Sequence, residues 1–495
     1  MTASARDTPG PGRPRRAVVI GGGLTAMLTA RVLAKVTDVV IIERDVLPDR
    51  PKPRIGLPQA HHTHILWSGG AEAIEALIPG TAKELDAAGA RRVPLTTGMV
   101  AYSPKGWFRR WGESHYAIAC SRDLLDWVVR KRVLTDVDRR ITVMERTTVT
   151  GLTGDSAAVT GVTVRARDTG EEDTLLADLV VDTSGKQSRT PLWLKDLGSH
   201  EPLTREVDSG LVYASRVYQA PEGLPDSWPI INVQADTRAG APGRAGIIMP
   251  IEAGRWLVTL SGTRGGQPTD DAQDFQRFAL GLRHPIVAEL IGKATPLGPV
   301  RVTHMTANRR RFYEKVTLPD NFLVLGDAVA AFNPTYGHGM SVAAQSAVIL
   351  DRVIQRHGWG TPGLARRVQR AVAQPVDTAW MFATGTDVFY PGATEEGPTL
   401  GERAAARFVD RLVLTATGSG TVARALTDVM TLQDEPKRLA RPGIVVAALA
   451  GPLKPRLQGP PLTHEERQAI GTMSCLTLPS RARFSVLRGE RHANQ

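Results

Sequence analysis

The sequence predicts a mixed α/β fold, with a largely parallel sheet interrupted by antiparallel strands and followed by a helical region. Three observations predict it. Residues 17–43 read in order as strand, glycine turn, helix, strand and carboxylate. About 300 residues later, the apolar run 321–325 ends at Gly326-Asp327 and passes through a glycine-rich turn into a small-residue helix from about Ser341. Between these units several segments alternate polar and apolar side chains, the period of half-buried strands.

The chain opens with a Pro/Gly/Arg-rich stretch, residues 1–15, whose composition predicts a disordered tail. Arg15-Arg16 before an apolar run has the outline of an export signal, but three glycines interrupt that run and a complete nucleotide unit follows. Gly21, Gly23 and Ala26 occupy the G-x-G-x-x-G/A positions of that unit. The first glycine makes the tight turn, the second lets backbone approach a pyrophosphate, and the small third residue lets helix pack on strand. Leu24 and Thr25 begin the helix, where N–H groups suit an anion. Glu43, 20 residues after Gly23, stands where an acid accepts ribose hydroxyls, and Arg44 follows it. A glutamate there favours an unphosphorylated ribose, as in FAD or NAD, over NADP.

Ser121 caps a helix that begins at Arg122 with acids in its first turn. Residues 146–176 read as a three-stranded antiparallel meander with turns at 151–155 and 168–173, and a buried strand, 179–182, ends at Asp182, a further candidate for cofactor binding. Segments 211–219, 230–235, 245–250 and 255–262 read as a separate antiparallel sheet, a natural wall for a substrate cavity. Residues 361–440 read as mostly helical, and the end reads as Pro-rich and irregular. The run 443–453 is too short to cross a bilayer but could touch a membrane or a greasy substrate. The expected organisation is a discontinuous nucleotide domain (16–100, 120–190 and 300–360), a substrate domain (101–119 and 191–299) and a mainly helical region (361–495).

The second device resolves the nucleotide. After Gly326, the Asp327 carboxylate can accept hydrogen bonds from sugar or polyol hydroxyls. The backbone N–H groups of Gly337, Gly339 and Met340, with the following helix dipole, can face an anion. Paired with the amino-terminal fingerprint, this points to one cofactor, FAD. The expected fold is a Rossmann-like FAD-binding domain of the glutathione-reductase-2 type, with an antiparallel-sheet substrate domain and a C-terminal helical region.

Other stretches carry a family likeness. They are Leu57-Pro58-Gln59-Ala60 with His62, His64 and Leu66-Trp67-Ser68; Asp182-Thr183-Ser184-Gly185 with Ser188-Arg189; Pro250-Ile251-Glu252 with Gly254-Arg255-Trp256; Ala307-Asn308-Arg309-Arg310; and Ala331-Phe332-Asn333-Pro334 with Tyr336-Gly337-His338-Gly339-Met340. With these, the chain resembles flavoprotein monooxygenases of the p-hydroxybenzoate-hydroxylase-like fold over roughly residues 16–360. More narrowly, it is similar to actinobacterial epoxidases acting on polyene precursors of polyether ionophores, the lasalocid and monensin type. The resemblance implies that Gly21, Gly23, Glu43, Arg122 and Asp327 contact FAD, with Asp327 on the ribityl chain and residues 337–340 beside the isoalloxazine ring. It also implies oxygen transfer from a flavin hydroperoxide to alkenes of a polyene polyketide, at one alkene or several in turn. Pro334, Gly337, His338 and Gly339 would shape and charge the flavin environment, with no side chain assigned as acid or base.

The resemblance has one departure. An Asp-Gly pair associated with NAD(P)H use in single-component hydroxylases is replaced by Asp182-Thr183-Ser184-Gly185. Electrons from NAD(P)H are therefore expected to arrive through a separate flavin reductase, with molecular oxygen as co-substrate. The substrate is expected to be lipophilic, free or carrier-bound. Alternatives are hydroxylation of another lipophilic or aromatic natural product, and alkene reduction by a prenyl-type flavin reductase. A halogenase would carry a Trp-x-Trp-x-Ile-Pro segment, which this sequence lacks.

Composition narrows the remaining classes. The net charge of +11 comes with basic clusters such as Arg309-Arg310-Arg311 and Arg130-Lys131-Arg132, but no nucleic-acid module accompanies them. No uninterrupted apolar span is long enough for a transmembrane helix. Two cysteines, Cys120 and Cys475, without metal spacing suggest a cytoplasmic protein and no disulfide framework. His61, His62 and His64 lack a spaced carboxylate or cysteine partner, so a loop packed near the cofactor is expected in place of a metal site. Tyr213, Tyr218, Trp256, Phe332 and Tyr336 either line the substrate cavity or fill core, with core the default reading.

Overall fold

The computed structural model describes residues 15–135, 140–304 and 306–472. Apart from Arg15, the expected tail lies outside these residues, as does Cys475. Five strands form one parallel sheet in the spatial order Phe322–Val324, Leu179–Asp182, Arg16–Ile20, Asp38–Ile42 and Ile141–Met144. The near-continuous apolar character of the central strands matches burial on both faces. Register puts Ile20 beside both Ile42 and Asp182, and Asp182 beside Val324. Gly21, Glu43, Asp182 and Gly326-Asp327 thus gather at one carboxyl edge, where ligands of open α/β sheets bind. Helices Leu24–Leu33 and Gly339–His357 rise from that edge and pack against each other.

The meander appears as Thr147–Gly154, Val159–Ala166 and Glu172–Leu176. Its first turn differs from expectation. Thr163 pairs with Gly151 and Val164 with Val149, so Gly151 sits at a β-bulge inside the strand, and the turn follows at 155–158. The expected wall is a seven-stranded sheet in the order Thr295–Thr303, Val212–Gln219, Arg255–Gly262, Arg244–Ile251, Ile230–Val233, Met99–Ser103 and Gly106–Trp107. Strand alternation divides it into two faces. Ala214, Tyr218, Trp256, Val258 and Leu260 pack under helices Ala272–Leu280 and Ile286–Ile291. Met249, Ile251 and Leu257 face a small sheet made by Ile65–Trp67, Arg91–Leu95 and His115–Ala119.

The C-terminal region is helical, as expected, at Leu364–Asp387, Leu400–Ala416 and Gly420–Met430, and two further helices, Pro442–Ala450 and His464–Thr472, stand where an irregular end was expected. Thr399 and Glu402 close a reciprocal capping box on the second of these. Among the described residues, no helix is long and apolar enough to cross a membrane.

Candidate active site

The amino-terminal turn is built around Glu43. Gly21 adopts φ +97° and donates its N–H to Ile42 O at 2.8 Å. Gly22 N–H donates to Glu43 Oε2 at 2.6 Å, and a Cβ on Gly22 would lie 2.7 Å from that oxygen. A Cβ on Gly23 would meet nothing within 4 Å, which leaves the backbone there open to a ligand, and Ala26 is fully buried against the sheet. Sequence reading missed Arg54. Its Nη2 donates to Glu43 Oε2 at 2.8 Å and its Nη1 to Gly22 O at 2.9 Å, while its Nε is buried without an acceptor. Arg44, by contrast, is exposed and pairs with Asp45.

Asp327 lies in the second device. Gly326 has φ +66°, and a Cβ there would come within 2.5 Å of Thr25 Oγ1, so the two devices interlock at this pair. Asp327 accepts no hydrogen bond among the described residues. Burial raises its carboxyl above the ordinary range, opposed by the charges of Arg122, Lys186 and Arg309. Arg122, buried at the start of Arg122–Thr135, donates Nε to Asp126 Oδ1 at 2.7 Å. Asp182 has a different task. It accepts from Ser184 N–H at 2.8 Å, from Ser188 Oγ at 2.6 Å and from Thr190 Oγ1 at 2.5 Å, so its fully buried carboxylate shapes its own loop.

A 3₁₀ turn, Pro334–Tyr336, leads into Gly337 at φ +66° and the helix Gly339–His357, which begins two residues before the expected start. The turn is anchored on three sides. Trp67 Nε1 donates to Tyr336 O at 2.9 Å, and the same indole lies 3.3 Å from where a Gly337 Cβ would sit. His338 Nε2 lies 2.9 Å from Met430 O of Gly420–Met430. Asn333 Oδ1 accepts from Thr335 N–H and from the Tyr213 hydroxyl at 3.0 Å, while its Nδ2 donates to Asp387 Oδ2 at 2.7 Å. The first N–H groups from Gly339 onward have no intrahelical acceptor and carry the positive end of the helix dipole. Next to them is Asp327, whose Oδ1 lies 3.7 Å from a Gly339 Cβ position.

The surrounding histidines and tyrosines are held neutral. Burial lowers His338 to about 4, and lowers both His62 and His64 to about 3. His62 bridges Ser215 Oγ at 2.8 Å and Thr303 Oγ1 at 2.7 Å, pinning the histidine segment to the wall sheet. No group of His, Cys, Asp or Glu among the described residues could hold a metal. Burial also raises the Tyr213 and Tyr336 phenols, and Tyr336 bonds Thr386. Trp256 takes the core alternative. It stacks on Trp228 with ring centroids 5.8 Å apart inside the helix-covered core, because alternation points it away from the face that carries Tyr213. Phe332 is half-buried between the parallel-sheet core and the Trp380–Val388–Tyr390 cluster. Met340 is buried in the parallel-sheet core.

The residues fit FAD. The open Gly23 backbone, the unaccepted Arg54 Nε and the unpartnered Asp327 carboxylate each offer a complementary polar group. A family model described as "FAD binding domain" matches residues 131–364. The chain is 30% identical over 397 residues to Protein Rv3254 of Mycobacterium tuberculosis, covering 78% of this chain and 83% of that one. The chain belongs to the FAD-binding monooxygenase family. Kynurenine 3-monooxygenase of Salinispora arenicola is 26% identical over 366 residues, covering 70% of this monooxygenase and 73% of its own length. The myxobacterial chondrochloren halogenase CndH shares the fold at a TM-score of 0.59 and 17% identity, over 85% of this monooxygenase and 97% of that chain.

Proposed function

We propose that this monooxygenase epoxidises alkenes of a lipophilic polyene polyketide. The observation that carries the reading is a turn whose buried histidines and tyrosines are neutral while a helix N-terminus supplies positive potential. An alkene attacked by electrophilic oxygen needs no base, whereas a phenol benefits from losing its hydroxyl proton. The chemistry supplied by bound, reduced FAD is activation of molecular oxygen.

This chain's own residues hold and shield. Glu43, Arg54 and the open Gly23 backbone would take the adenosine and pyrophosphate end, with Arg122 nearby. Asp327 would accept polyol hydroxyls. The N–H groups of residues 338–340 would stabilise negative charge on the ring system, while the Gly337 N–H is already donated to Pro334 O at 3.0 Å. Tyr213 and Tyr336 orient the turn and present apolar rings, which keeps water from the reacting centre.

The absent Asp-Gly pair supports electron delivery through a separate reductase. A second reading is aromatic hydroxylation, favoured by the likeness to kynurenine 3-monooxygenase. The deciding experiment incubates the protein with chemically reduced FAD and a polyene, with and without oxygen, and counts oxygen atoms in the product by mass spectrometry. Oxygen-dependent epoxide supports the proposal. A reduced alkene formed without oxygen, or no product from any alkene beside turnover of a phenol, overturns it.

A further inference from the structure

The helix Pro442–Ala450 presents an apolar stripe to solvent. Ile444 and Ala448 turn inward against Leu412, Ala416 and Val429. On the opposite side Val446 is 65% exposed and Leu449 70%, and Leu453 just past the helix is 83% exposed. Arg411 donates to the Ala448 carbonyl at 2.7 Å and the Leu449 carbonyl at 2.6 Å, so the helix ends with its carbonyls satisfied.

Charge surrounds the stripe asymmetrically. From 436 to 464 the sequence holds five basic residues, Lys437, Arg438, Arg441, Lys454 and Arg456, and no acid. On the protein side, Asp428, Asp434 and Glu435 engage the first three. Lys454 and Arg456, flanking Leu453, have no carboxylate partner among the described residues, and the Lys454 ammonium lies over the Trp111 ring at 5.2 Å. Trp111 also lines a cavity of about 340 Å³ with Thr421, Arg424 and Thr427 of Gly420–Met430, the helix whose far end meets His338.

We propose that Val446, Leu449 and Leu453 dock this enzyme on an anionic lipid surface, with Lys454 and Arg456 at the headgroups. Exposed aliphatic side chains bordered by cations without a carboxylate partner are the composition of an interfacial anchor, and a helix this short lies on a bilayer without spanning it. The inference deepens the proposed function and rests on its lipophilic substrate, which partitions into lipid. Docking would set the Trp111 cavity beside the source of that substrate.

Vesicle co-sedimentation of the full chain tests this, using phosphatidylcholine with and without phosphatidylglycerol. Wild-type protein should pellet with the anionic vesicles and dissociate as salt rises. Val446→Asp with Leu449→Asp should weaken binding about tenfold or more, and Lys454→Glu with Arg456→Glu should remove the preference for phosphatidylglycerol. Retained flavin content and melting temperature would show that both variants fold. No pelleting of wild type, or equal pelleting of all variants, overturns the proposal. So would sedimentation velocity showing a wild-type dimer that the aspartate pair dissociates, because the occupant is then a second copy. The assay needs no substrate, so its failure is distinct from failure of the epoxidase reading.

Discussion

Asp387 Oδ2 accepts the Asn333 Nδ2–H at 2.7 Å, which ties the end of a C-terminal helix to the turn that would face the flavin. Asn308 Nδ2 donates to the same oxygen at 2.9 Å, and Asn308 Oδ1 accepts the Asn333 backbone N–H at 2.6 Å. Tyr213 completes the ring through Asn333 Oδ1. A buried, fully engaged polar network of this kind fixes one geometry.

Burial pushes the Asp387 carboxyl up from 3.8 to about 6, against the hydrogen bonds from Asn333, Asn308 and Ser209. The folded protein therefore holds this proton more tightly than the unfolded chain, and stability falls as pH rises between those values. An Asp387→Asn variant lacks that loss. Relative to wild type it should gain up to about 3 kcal/mol between roughly pH 4 and pH 7, read from urea unfolding at both ends. A pH-independent difference contradicts the assignment. Asp387→Ala, which leaves two amides unaccepted, should loosen the turn and release more hydrogen peroxide per oxygen consumed.

Asp327 offers an unpartnered acceptor beside Gly339. Asp327→Ala should weaken FAD binding by roughly ten- to a hundredfold, the worth of hydrogen bonds to a charged group. Fluorescence titration of the apoprotein measures it, and unchanged affinity would remove Asp327 from the cofactor site. Gly326→Ala should lower stability by about 1–3 kcal/mol, since it places a Cβ against Thr25 at a positive φ.

The parallel sheet and its carboxyl edge were legible because apolar strand runs and glycine turns are local signals. Arg54 was not, because only the fold brings it back to Glu43. The small sheet of Ile65–Trp67, Arg91–Leu95 and His115–Ala119 is too short and too non-local in its pairing to show a period. Gly69 and Gly70 were passed over for a similar reason. Their value lies in close approach: a Cβ on Gly69 would come within 2.5 Å of Thr431 O, and one on Gly70 within 2.4 Å of Ser341 Oγ. Trp256 looks like Tyr213 in sequence, and only strand register separates the helix-covered face from the face that carries Tyr213.

That separation is testable. Trp256→Ala should cost about 3–5 kcal/mol of stability, as large-to-small changes in packed cores do, with the product distribution unchanged. Tyr213→Phe should cost about 1 kcal/mol yet lower the ratio of product to oxygen consumed, because it releases Asn333 and Thr335. Altered products from the Trp256 variant would return that residue to the substrate site.

The reductant question turns on a basic cavity of about 290 Å³ lined by Lys186, Arg189, Arg309 and Arg311. With a separate reductase, anaerobic mixing of the pure protein with NADPH should leave FAD oxidised over minutes. Rapid bleaching that Arg309→Ala slows would instead assign hydride delivery to this chain, at that cavity.

His338 joins the proposed flavin-facing turn to the C-terminal helices, and its ionisation tests whether that joint is structural. Burial lowers it from 6.5 to about 4, so the unfolded chain binds a proton that the folded protein refuses. The resulting stability is present above pH 6.5 and is lost as pH falls toward 4. His338→Gln keeps a donor for the Met430 carbonyl and removes the titration. Its stability should therefore depend on pH less steeply than wild type, by about one proton across this window, with turnover at neutral pH reduced less than about threefold. A wild-type turnover profile with an inflection in that window, abolished in the glutamine variant, would instead make His338 a proton donor to the reaction. The neutral imidazole held against a backbone carbonyl argues for the structural role.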